Sequence, residues 1–129
     1  MTPTRTVTCG PGLDEVYDVW EPSAASPAGP FGAQAPGGPA TLVLVHGGLW
    51  HAAYDRHQLD PLAAAAARAG WHAVNVEYLR LGMPGGGWPG TARSALAGLQ
   101  AVDDDPALPG PRVVVGHSAG GHLVVWCAS

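Results

Sequence analysis

The chain has 129 residues, 47% of them hydrophobic and 12% charged, with a net charge of -4, which fits one compact domain or part of one and excludes two full domains. Six arginines and no lysine stand against ten acids, so the basic stripe of a nucleic-acid or anionic-membrane binder is missing and a small-molecule partner is expected. Two cysteines far apart, Cys9 and Cys127, suggest neither a disulfide framework nor a zinc ribbon, and both read as small buried hydrophobes. No apolar run is long enough to span a membrane, so the expected location is cytoplasmic.

Residues 5–9 and 15–20 are rich in β-formers around the turn signal Gly10-Pro11-Gly12 and predict an N-terminal hairpin. The Pro-, Ala- and Gly-rich stretch at 22–40 holds too little bulky apolar surface to order strongly and predicts a surface loop. Thr41 to Val45 is a continuous apolar run, expected of a strand covered on both faces, and stops abruptly at His46-Gly47-Gly48. Leu59, Leu62, Ala63, Ala66 and Ala69 recur at helical spacing, with Asp60 as N-cap, Pro61 at the first helical position and Gly70 beyond the end.

Trp71 to Tyr78 predicts another strand, and after a glycine-rich loop Thr91 caps a second helix with Ala92, Ala95, Leu96, Leu99 and Val102 on one face. Arg112 to Gly116 predicts a third buried strand, followed at once by a helical run from Ala119 that is apolar on nearly every side. Alternating strands and helices with continuous apolar strands imply an α/β fold: a mostly parallel sheet with helices on both faces.

Gly116-His117-Ser118-Ala119-Gly120 matches G-x-S-x-G and falls between a strand and a helix, the context that motif requires. A nucleophile on so tight a turn needs small neighbours, which Gly116, Gly120 and Gly121 supply. Ser118 is the candidate catalytic residue. The amide of Ala119, at the positive end of a helix, would face a developing oxyanion, and Gly47, Gly48 and Leu49 are the candidates for a second donor. Trp50, Tyr78 and Trp88 are candidate substrate-binding aromatics, while Glu77 and Arg80 read as a structural charge pair or solvated groups. Gly85 to Gly90 satisfies G-x-G-x-x-G, but Pro89 removes an amide that a pyrophosphate would need, so no nucleotide cofactor is expected. Nor do the histidines and cysteines show metal-ligand spacing, and no metal is expected.

Taken together, His46-Gly47-Gly48-Leu49-Trp50, Glu77 to Arg80, Gly85 to Thr91 and Gly116 to Leu123 resemble the α/β-hydrolase superfamily, within it the esterase and arylformamidase (kynurenine formamidase-like) branch with an HGGxW oxyanion motif. That resemblance implies a serine hydrolase of carboxylic esters or formyl amides, working through an acyl-enzyme on Ser118 without a cofactor. It also implies a triad acid and histidine downstream of the serine, yet only eleven residues follow Ser118 and they contain no acid. The chain is therefore expected to be the N-terminal part of such a domain, truncated after the nucleophile elbow. The alternatives are a fragment or pseudoenzyme without catalysis, and an acyltransferase or thioesterase using the same elbow.

Overall fold

A computed structural model describes residues 1–22, 34–35 and 38–129. In chain order the elements are β1 (Arg5–Thr8), β2 (Val16–Trp20), β3 (Gln34–Ala35), β4 (Gly38–Pro39) and β5 (Thr41–Val45), then a short 3₁₀ turn (Arg56–Leu59) and α1 (Asp60–Arg68). They continue with β6 (His72–Val76), α2 (Gly90–Asp103), β7 (Arg112–Gly116) and α3 (Ala119–Ala128). The loop expected at 22–40 falls largely outside the described residues, and β3 and β4 within it form a separate antiparallel pair.

Among the described residues five strands make the main sheet, in the order β1-β2-β6-β5-β7. β5 pairs in parallel with β6 and β7, whereas β1 with β2 and β2 with β6 are antiparallel. The expected mostly parallel, truncated α/β-hydrolase-type sheet is therefore corrected to a mixed sheet carrying, among the described residues, three α-helices. The cause lies in the hairpin: its second strand, buried at every residue, joins the sheet beside β6, where Trp20 is covered from the α1 side and Tyr17 and Val19 from the α2 side.

Alternation along the strands divides the core into two layers. Leu44 and Ala73 face α1, where Ala63, Ala64, Ala66 and Ala67 bury their small side chains around Trp20. Val43, Val74, Val76, Tyr17 and Val19 point the other way, toward Val102 near the end of α2 and Leu108 in the segment after it. Val45, Tyr78, Ala92, Ala95 and Leu123 continue that layer between α2 and α3. Each valine buried this way contributes about 1.5–3 kcal/mol.

α1 begins at Asp60, with Leu59 as its N-cap and proline in the first turn, one residue from the expected start. The Asp60 carboxylate instead accepts from Asn75 Nδ2 at 3.1 Å and contacts His57 Nδ1 at 2.9 Å. Gly70, at φ 99°, ends the helix as expected of a left-handed glycine: the N–H of Trp71 reaches Ala66 O and that of Gly70 reaches Ala67 O. Thr91 lies inside the first turn of α2 rather than at its N-cap, and its hydroxyl accepts from Gly87 N–H at 2.9 Å.

β7 also departs from expectation. It lies at the sheet edge, and Val113, Val114 and Val115 are 41%, 37% and 42% exposed rather than buried. Continuous apolar character says that a strand is suited to cover on both faces; it does not say where the strand sits in the sheet. Cys9 and Cys127 are half-buried free thiols, both pushed above the ordinary thiol pKa by burial. Among the described residues no helix is long and apolar enough to cross a membrane.

Candidate active site

β5 and β7 run side by side in parallel, so the loops leaving their C-terminal ends emerge together. One begins at His46 and the other carries His117 and Ser118, and the N–H of His117 donates to Val45 O at 3.0 Å. Ser118 is held at φ 54°, ψ -116°, a left-handed conformation costly to a residue with a side chain. Its side chain is exposed at the head of α3, and its carbonyl accepts from His122 N–H at 3.2 Å.

Glycine is required where these loops touch. A Cβ on Gly47 would lie 2.7 Å from His117 O and 3.0 Å from Ser118 Cβ, and one on Gly120 would collide with the carbonyls of Val45 and His46. Gly48, Leu49 and Trp50 follow with φ of 118°, 56° and 58°, a run of left-handed residues of which two carry side chains. Among the described residues the N–H groups of Leu49 and Ala119 have no intramolecular acceptor. Ala119 is buried at the first position of α3, where helix geometry leaves its amide unpaired and the helix dipole is positive.

The sequence-based candidates separate into three groups. Ser118, Ala119 and Gly47 come together at the elbow, with Gly48 and Leu49 next along the same loop. Trp50 and Trp88 border a cavity of about 210 Å³ that also meets Leu81, Ala92, His122 and Leu123. Trp50 meets His122 edge-on at 5.5 Å, and the largely exposed Trp88 meets Trp126 likewise at 5.4 Å. Tyr78 is elsewhere: fully buried, it stacks on the His46 ring at 4.4 Å and donates its hydroxyl to His46 O at 2.8 Å. Burial, with Glu77 beside it, pushes its phenol well above the ordinary range.

Beneath the 46–58 loop lies a buried ionic network of which the sequence offered only the Glu77 and Arg80 pair. Glu77 bonds His46 Nε2 and accepts from the N–H groups of Arg56 at 2.8 Å and Tyr78 at 3.2 Å. The Arg80 and Arg56 guanidinium groups stand 3.4 and 3.7 Å from it. Arg56 donates onward to Asp18 at 2.7 Å, which also accepts from the Thr6 hydroxyl at 2.6 Å. Burial works against the Arg56 charge, but Asp18, Glu77 and Asp55 outweigh it and hold its pKa above an already high value. Removing these charges from water costs several kcal/mol per ion, and leaving any one of them buried without its partner would cost more. The network ties β2, β6 and the loop into one unit. The only sequence signal for it was charged residues inside apolar strands.

Asp18, His57 and Asp60 bring one ligand atom each within 4.8 Å of one another and could approach a metal ion, but Arg56 already neutralises Asp18. No hydrogen bond to Ser118 Oγ is made among the described residues; His51 and His57 are bonded elsewhere, and His72 opens β6 at the end of the sheet opposite Ser118.

No protein-family model matches the chain, and no curated protein matches it. Among solved structures it is similar to a protein from Silicibacter sp. TM1040 described as a "putative thioesterase", with 28% identity and a TM-score of 0.68. The likeness covers 94% of this chain and 41% of that one, so the chain spans about two-fifths of that protein's length. On this finding the expected kinship with the HGGxW, GxSxG esterase and arylformamidase branch of the α/β-hydrolases is corrected to likeness to a thioesterase in a domain with a mixed sheet.

Proposed function

We propose that the protein acts on thioesters of small molecules, with Ser118 as the attacking hydroxyl and the amides of Ala119 and of Gly47 to Leu49 as donors to the carbonyl oxygen. In this reading Ser118 Oγ bonds to the carbonyl carbon, the carbon–sulfur bond breaks, and the thiol departs with the serine proton. Water then adds to the acyl-serine, the carbon–Oγ bond breaks, and the acid leaves as the serine regains its proton. A thiol has a pKa of about 8.5, so a thiolate leaves with far less help from a proton donor than an alkoxide does.

The observation that carries the proposal is Ser118 itself, exposed in a strained left-handed conformation against Gly47, with an unpaired helix-end amide following it. Proteins keep such strain where neighbours over-determine it, and such sites are often functional. The likeness to a thioesterase supports the thioester over other acyl donors. Free-thiol release from butyryl and benzoyl thioesters tests this: release should fall to the uncatalysed background in Ser118→Ala. Equal release by the variant, or none above background from the unmodified protein, contradicts it.

A further inference from the structure

The cavity beside the elbow has a chemistry of its own. Trp50 on one wall directly follows the loop that carries Gly48 and Leu49, and His122 on the other lies one helical turn beyond Ser118. Leu81 closes a third side and is tied to the first, its N–H donating to Trp50 O at 2.7 Å while Ala52 N–H donates to Leu81 O at 2.9 Å. Ala92, fully buried on α2, forms part of the inner wall. Among the described residues Thr91 and His122 are the polar members of its lining and no carboxylate, lysine or arginine faces it, so a carboxylate entering this mostly apolar space would lose hydration with little to compensate it. At about 210 Å³ it is smaller than the roughly 300–1,000 Å³ of pockets that take drug-sized ligands. Given about 30 Å³ for each water-sized group, it holds about seven.

We infer that this cavity receives the acyl group of the substrate and selects short, uncharged aliphatic or aromatic acyl groups over acidic or long-chain ones, with Ala92 setting its depth and Leu81 its polarity. The inference rests on the proposed action at Ser118, since an acyl carbon attacked there has this cavity as its apolar neighbour. Ala92 limits size because any larger side chain would grow into the space. Leu81, 45% exposed at the rim, can be changed without disturbing the core.

Two experiments separate this inference from the functional proposal. In the first, acetophenone and 2-heptanone, which carry an acyl part but no leaving thiol, are titrated into the protein and followed by amide chemical shifts. Shifts should centre on Leu81, Ala92 and Leu123 and weaken several-fold in Ala92→Leu. In the second, kcat/KM is compared for butyryl, benzoyl, succinyl and palmitoyl thioesters of one thiol. Butyryl and benzoyl should exceed succinyl and palmitoyl by about tenfold or more, the order of discrimination a small apolar pocket provides. Leu81→Lys, which leaves the core intact, should narrow the gap to succinyl. Ketone binding at the cavity without thioester turnover supports the pocket and overturns the proposed reaction. Ser118-dependent turnover that treats succinyl and butyryl alike, unchanged by Leu81→Lys, overturns the pocket and leaves the reaction standing, as do ketone shifts centred elsewhere.

Discussion

Single residues decide whether the two loops can meet. Gly47→Ala would place its Cβ against His117 O and Ser118 Cβ, forcing the loop from the elbow. Overpacking of this kind costs about 1–3 kcal/mol, and the displaced amides should lower kcat more than they raise KM, as steady-state thiol release would show. Glu77 acts from below: Glu77→Gln removes the charge that Arg56 and Arg80 face. Breaking a buried pair costs about 3–5 kcal/mol, measurable by denaturant unfolding. Of these contacts the sequence displayed the glycines, because a Gly-Gly after an apolar run marks a close approach. It concealed the contact between Arg56, in the 3₁₀ turn, and Glu77, just after β6, which meet only through the fold.

Among the elements, the start of the β1–β2 hairpin is fastened to the turn after α2 through Asp105. Tyr17 donates its hydroxyl to that carboxylate at 2.8 Å and Arg5 meets it at 3.1 Å. Burial pushes Asp105 up, but the Ala107 N–H, Tyr17 and Arg5 outweigh it and hold the carboxyl below its ordinary value. Burial and the same hydrogen bond push Tyr17 up to about 12. The depressed carboxyl contributes stability that is complete above the unfolded aspartate value of about 4 and lost as pH falls through the folded one. The raised phenol contributes stability that is complete below about pH 10 and lost as pH rises toward its folded value. The stability difference between the unmodified protein and a Tyr17→Phe, Asp105→Asn double variant should therefore be widest between about pH 4 and 10 and shrink on either side, read from urea unfolding across that range. A difference independent of pH contradicts the assignment.

β7 makes a separate prediction. Three part-exposed valines on an edge strand with no lysine among them invite pairing with another chain. Val114→Lys should reduce self-association, measured by light scattering at matched concentration. Strand identity was legible in the apolar runs, and helix positions in the alanine and leucine spacing. Strand direction was not legible, because the antiparallel union of β2 with β6 joins residues more than fifty apart, and apolar runs read alike at an edge or a centre.

Across the whole molecule, the mixed sheet brings the ends of β5 and β7 together, and the ionic network beneath them fixes the 46–58 loop against that frame. Ser118 and the unpaired amides follow from this arrangement, as does the apolar cavity between Trp50 and His122. The tight turn between β7 and α3 was readable from five consecutive residues, whereas the cavity, assembled from three separate stretches, was visible only as scattered aromatics. Whether the acyl group passes to Ser118 can be read from intact mass after brief exposure to a benzoyl thioester, followed by peptide mapping. One added benzoyl group is expected on the peptide containing Ser118, absent in Ser118→Ala. An adduct on Cys9, Cys127 or a histidine instead, or equal labelling of the variant, would contradict transfer to Ser118.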